Sequence, residues 1–219
     1  INSINEDKII ITNKNVENTL QKTNVIYDKD GEYHYDIISA FIKSIRGSDP
    51  NAAVYWLARL IQGGETPKFI ARRLIILASE DIGNANPTAL VMANNTFQSV
   101  VNIGFPEARI ILSQCVIYLA SSEKSNSSYL AINKAQKLVE DTGNLKVPLS
   151  LRNSPTKMMK DMGYGKDYKY SHDFNNNFVE QEFLPDEIVE TKLYEPAKNI
   201  KENKLREYLK LRWKDKYRY

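Results

Sequence analysis

The side chains able to do chemistry are few. The 219 residues hold one cysteine, Cys115, and two histidines, His34 and His172. Three such groups, far apart in the chain, do not make the four-ligand nitrogen and sulfur set of a structural zinc site. Cys115 stands in the apolar helical run EARIILSQCVIYLA, where a small buried thiol is expected and a nucleophile is not. His34 in YHYD and His172 in SHDF each lie near an aspartate, and a structural hydrogen bond is the expected role of both. A phosphate cradle of the G-x-x-x-x-G-K-[ST] type is missing, and GYGKDY has the wrong spacing for one. No G-x-S-x-G elbow occurs. Asp28, Asp30 and Glu32 approach a calcium loop, but the glycine and the distal glutamate are misplaced. Glu80 and Asp81 are adjacent, so on a helix they point apart; Arg72 and Arg73, or the start of a neighbouring helix, are their expected partners in a structural salt-bridge network. The residues thus offer no catalytic, cofactor or metal position.

Nucleic-acid chemistry has more support. Between residues 192 and 219 ten Lys/Arg face four Asp/Glu, whereas the whole chain carries only +3. A helix is expected over 199–215, with Leu205, Leu209 and Trp213 on one side. Lys204, Arg206, Lys210, Arg212 and Lys214 could attract phosphates while Tyr208, Trp213 and Tyr217 stack on bases. The competing reading is a docking helix whose outer face is solvated by these cations, and the modest local charge favours it.

The elements that must position these groups are helical. Tyr35, Ile38, Phe41, Ile42 and Ile45 recur at helical spacing. Gly47 suits the positive-φ position past a helix end, Ser48 or Asp49 can cap the next helix, and Pro50 fits its first turn. Ala53, Trp56, Leu57 and Leu60 continue the stripe to Gly63-Gly64. The same grammar starts helices at Thr66-Pro67 (Ile70, Leu74, Leu77, Ala78 inward), Asn86-Pro87 (Leu90, Ala93, Phe97, Val101 inward) and Pro106 (Ile111, Leu112, Cys115, Val116, Leu119 inward). Ser125 or Asn126 caps a further helix through Tyr129, Ile132 and Val139. Before these, KIIIT is a short β-branched run, Asn13 or Asn15 suits a helix cap, and Asp30-Gly31 a turn. After about residue 145 the pattern dissolves into Tyr-, Asn-, Gly- and Pro-rich chain with one short helical candidate, 156–162, read as an ordered, irregular strap because it is rich in aromatics. The expected fold class is all-α: a bundle of short antiparallel helices with a long irregular C-terminal strap. No apolar run approaches the roughly 20 residues that cross a bilayer. The chain begins with isoleucine and has no leader, so it is expected to start within a longer protein of a reducing cytoplasm.

The blocks YDKDGEYHYDIISAFIKSIRGSDPNAAVYWLARLIQGGE, FIARRLIILASEDIGNANP, GFPEARIILSQCVIYLASSEKSN, VPLSLRN and YKYSHDF…FLPDEI…YEP together resemble the C-terminal half of the replication-associated recombination protein A (RarA/MgsA) family. These are AAA+ ATPases related to clamp loaders. The resemblance implies a clamp-loader-collar-like bundle: 1–30 the remnant of a lid, 31–145 a helical oligomerisation domain, 146–219 the strap and basic helix. It implies an assembly role without catalysis, in a protein that maintains replication forks in the bacterial cytoplasm, at the nucleoid. ATP and Mg²⁺ would belong to an ATPase module whose motifs this sequence lacks, so no catalytic position carries over. Implied partners are three further copies in a homotetramer, DNA through the whole protein, and single-strand DNA-binding protein, with no membrane. Tyr55, Trp56, Tyr118 and Tyr129 are the candidate interface anchors, because the aromatics exceed what a short-helix bundle needs.

Overall fold

The computed structural model describes residues 32–219, together with 4–5, 8–9 and 12–14. The reading of Asn15 as a cap, the Asp30-Gly31 turn and the Asp28, Asp30 and Glu32 spacing rest on residues outside these. Part of KIIIT forms a two-residue strand, Lys8–Ile9, paired antiparallel with Ile4–Asn5. Every other regular element among the described residues is helical. The chain divides into two compact units, a division different from the one drawn at 145/146 from sequence.

The first unit, 1–82 with 87–124, contains α1 (Glu32–Arg46), α2 (Pro50–Gln62), α3 (Pro67–Leu77), α4 (Thr88–Ile103) and α5 (Ala108–Ala120). Ile38, Phe41 and Ile45 of α1 share one core with Leu57 and Leu60 of α2, Ile70, Leu74 and Leu77 of α3, and Leu112, Val116 and Leu119 of α5. Two corners set the angles between these helices, and both are Schellman turns that run directly into the next cap. At the first, Ser48 N–H bonds Ile45 O and Asp49 N–H bonds Ser44 O. The left-handed residue there is Ser48, at φ 61°, and not Gly47. Gly47 relieves a tight approach: a Cβ there would stand 3.1 Å from the Lys43 carbonyl. Asp49 then caps α2, accepting from the N–H groups of Asn51 and Ala52. At the second corner Gly64 takes φ 83°, Glu65 N–H bonds Leu60 O, and Thr66 caps α3 through Phe69 N–H.

Two inward faces differ from the sequence reading. On α1 Tyr35 is exposed and the buried stripe starts at His34, held 3.5 Å from Glu65. On α4 the buried residues are Ala89, Ala93, Thr96 and Val100, while Leu90 and Val101 are exposed. Small side chains let α4 approach α3 and α5 closely, so the packing selects the alanine face over the bulkier one.

The second unit, 83–86 with 125–219, contains α6 (Ser127–Thr142), α7 (Lys157–Asp161) and α8 (Ile200–Trp213), with 3₁₀ turns between them. The 143–199 segment closes its backbone polar groups locally: Gly165 N–H bonds Leu149 O, Tyr164 N–H bonds Met159 O, and Thr156 caps α7 through Met159 N–H.

Candidate functional site

The acidic pair at the end of α3 sits on a π turn, Ala78–Ile82, that continues the helix. Its partner is Arg46, the last residue of α1. Arg46 Nε donates to Asp81 Oδ1 at 2.6 Å, and its Nη2 stands 3.5 Å from Glu80 Oε1. Arg72 and Arg73 do not take that role. Eight residues of continuous helix is about 12 Å of rise, beyond the reach of either guanidinium. Arg72 instead lies over the Phe69 ring at 5.7 Å, and Arg73 Nε is buried without a hydrogen-bond partner. Lys124 completes the corner. Its ammonium donates to the Leu119, Ala120 and Ser122 carbonyls that end α5, and to Ser48 Oγ. Burial lowers the Lys124 pKa, and the charge of Asp81 partly restores it. Because it packs cations onto helix C-termini and acids onto cations, the corner fixes geometry and offers no open site.

The thiol is as inert as its surroundings suggest. Cys115 is fully buried, and burial pushes its pKa up to about 11 despite a hydrogen bond with Thr96. His172 is exposed, 5.1 Å from the Tyr170 ring. No group of three or more His, Cys, Asp or Glu able to hold a metal occurs among the described residues.

The basic helix α8 is anchored by an acid. Glu202 is fully buried, and its carboxylate accepts from Ser125 Oγ at 2.7 Å, Ser127 Oγ at 3.0 Å and Ala197 N–H. Asn199 caps α8 through Glu202 N–H at 2.9 Å. Sequence reasoning missed this residue, although Asn-x-x-Glu at 199–202 is a capping-box pattern. Of the five candidate DNA contacts, Arg206 is engaged by Glu195 and the Pro196 carbonyl, and Arg212 lies over Tyr208 at 3.4 Å. Lys204, Lys210 and Lys214 are exposed. Leu205 is exposed as well; Leu209 and Trp213 share the inner side with Glu202.

The interface candidates divide. Trp56 and Tyr118 pack on the core of the first unit. Tyr55 and Tyr129 are 54% and 43% exposed. Tyr129 lies on α6, where of sixteen residues only Ser127 is buried. Ala131, Ile132, Ala135, Leu138 and Val139 fall on one face of this helix, with Ile132 and Val139 at 55% and 63% exposure. In the first unit an apolar groove of about 490 Å³ runs along Val54, Leu57, Ala58 and Ile61 of α2 and Ile110 of α5.

Two family matches place this chain of short capped helices in the class of C-terminal regions of AAA+ ATPases: residues 47–213 are matched by the MgsA AAA+ ATPase C-terminal family and residues 1–46 by the AAA C-terminal domain family. The chain belongs to the replication-associated recombination protein A (MgsA) family. It is 46% identical over 184 residues to the replication-associated recombination protein A of Coxiella burnetii, covering 84% of this chain and 42% of that protein. It is 45% identical over 196 residues to the Bacillus subtilis protein of the same name, covering 90% and 46%. To the ATPase WRNIP1 of Dictyostelium discoideum it is 44% identical over 188 residues, covering 85% and 22%. The chain thus spans less than half the length of these curated relatives. No described helix is long and apolar enough to cross a membrane.

Proposed function

We propose that this chain is the assembly part of a RarA-like ATPase: it self-associates, as a homotetramer, and so holds the ATPase modules of its copies at a fixed geometry. The observation that carries this reading is the α6 face, where Ile132 and Val139 stand 55% and 63% exposed at helical spacing. An apolar stripe of this kind marks an interaction surface, and a symmetric assembly pairs it with its own copy. Tyr55 of α2, 54% exposed, is a second anchor for the same assembly. Light scattering of the chain at micromolar concentration is expected to give a mass of four copies. Ile132→Glu combined with Val139→Lys should reduce that mass while circular dichroism stays helical. A monomer from the unsubstituted chain at micromolar concentration overturns the proposal.

The remaining expectations belong to the parent protein. ATP and Mg²⁺ sit in its ATPase module, catalysis is absent from these residues, and the work is on DNA at replication forks in the bacterial cytoplasm, at the nucleoid. Single-strand DNA-binding protein is a partner there. The isolated chain should neither bind nor hydrolyse ATP. A second reading is favoured by the exposed Lys204, Lys210 and Lys214 around a Tyr208 that is itself 52% exposed: α8 touches nucleic acid. With Arg206 and Arg212 already committed to intramolecular partners, Lys201, Lys204, Lys210 and Lys214 remain for phosphates. Affinity for forked DNA through α8 should therefore fall with salt by a slope of no more than about four.

A further inference from the structure

The 146–170 segment carries an excess of positive charge that the assembly role leaves unused. Six cations, Lys146, Arg152, Lys157, Lys160, Lys166 and Lys169, face only Asp161 and Asp167. Beside the same segment a cavity of about 420 Å³ is lined by residues 150–154, Gly165 and Tyr168, and by Phe183. Tyr168 and Phe183 both line this cavity and remain 47% and 44% exposed, Phe183 with an edge-on contact to Trp213. Ser150, Asn153 and Ser154 also line the cavity, and their side chains can both donate and accept.

This wall is preorganised. Gly165 N–H bonds Leu149 O at 2.9 Å, which ties the loop to the turn. Gly165 sits at φ 72°, where an added Cβ would meet the Arg152 carbonyl at 3.3 Å and Ser154 Oγ at 3.4 Å. Arg152 is structural here: Nε donates to Val147 O at 2.8 Å and Nη1 to the Tyr164 hydroxyl at 3.2 Å. On the other side the Gln181 amide takes up both backbone groups of Lys169, at 3.2 and 2.9 Å, and so fixes the residue after Tyr168. Lys166 and Lys169 flank Tyr168 and are exposed.

We propose that this cavity binds a nucleobase of single-stranded DNA, stacked on Tyr168 and Phe183, with its edge read by Asn153 and the two serines. Lys166 and Lys169 then pair with the adjoining phosphates. The combination is the one single-strand binding requires: a flat aromatic platform for the base beside cations that follow the backbone, since every base has a π face and every link a negative charge. None of the lining residues belongs to α8, although Phe183 rests edge-on against Trp213 at the end of that helix.

The test is fluorescence anisotropy of a labelled 20-nucleotide dT strand with the 219-residue chain at low salt, beside an abasic strand of equal length and charge. The chain is expected to bind dT at least tenfold more tightly than the abasic strand. Tyr168→Ala and Phe183→Ala should each weaken dT binding about tenfold, with little change in the salt slope, whereas Tyr168→Phe retains binding. Lys166→Ala with Lys169→Ala should instead reduce the salt slope by about one. Equal affinity for dT and abasic strands, or no binding to dT at 20 mM salt, overturns the proposal on the unsubstituted chain, whatever the variants do to folding. Light scattering on the same samples reports assembly separately, so failure of one reading leaves the other standing.

Discussion

Glu202 decides more than any other single side chain. A carboxylate taken wholly out of water needs partners, and its own are two serine hydroxyls and a backbone N–H, with no cation beside it. Its position in the first turn of α8 adds the favourable helix dipole. Glu202→Ala should therefore cost about 3 kcal/mol in urea unfolding, because Ser125, Ser127 and Ala197 lose their acceptor together. Glu202→Gln, which keeps an acceptor, should cost less. The cap at 199–202 is legible in the sequence, but its reach to Ser125, 77 residues away, is not. Two surface acids carry a pH dependence. Burial raises the pKa of Glu182, yet hydrogen bonds from Lys216 and from the Phe183 and Leu184 N–H groups outweigh it, leaving the carboxyl below its ordinary 4.5. Glu195 is lowered in the same way by Lys192 and Arg206. A folded pKa below the unfolded one stabilises the fold at pH above about 4.5, and that contribution is lost as pH falls through the lower value. Trp213 packs edge-on against Phe178, Phe183 and Tyr217, so in a Trp56→Phe background its emission should shift below pH 4.5. A flat signal down to pH 3 would contradict this.

At the scale of elements, the corners carry the fold. Each of the first two joins a Schellman turn to an N-cap within four residues, so the exit of one helix fixes the entry of the next. Asp49→Ala should destabilise the chain by about 1 kcal/mol, since two N–H groups of α2 lose their acceptor. Gly64→Ala should cost a similar amount for a different reason. Nothing lies within 4 Å of the added Cβ, so the loss of about 1 kcal/mol is conformational alone. Thermal denaturation of both variants checks this; a Gly64→Ala loss well above that amount would point to a steric clash in place of backbone strain. The proline, glycine and cap residues announced these corners directly, because each acts through its own backbone. The inward faces of α1 and α4 were not announced. Two stripes one residue apart fit the same period, and the choice between His34 and Tyr35, or Ala89 and Leu90, depends on what packs opposite.

On the scale of the molecule, α1 matters for continuity. The two matched families meet between Arg46 and Gly47, yet Phe41 and Ile45 lie in the same core as α2, α3 and α5, and Arg46 holds the acids after α3. α1 is thus tied to this unit by the side chains it buries and by an ion pair. If the proposed self-association holds, stability must depend on concentration, since assembly removes folded monomer from the unfolding equilibrium. The melting temperature should rise between 1 and 100 μM, and the Ile132→Glu, Val139→Lys pair should abolish the rise. Periodicity, caps and turn residues by themselves determined an all-α chain of short helices, and their ordered blocks determined the family, because such signals act over a few residues of contiguous chain. Which carboxylate is buried, which arginine pairs with Asp81, which face of α4 turns inward and which aromatic rings line a cavity were decided only by the tertiary structure. Those choices are made between groups distant in sequence, through close packing and the cost of an unpaired buried charge, and neither leaves a local trace.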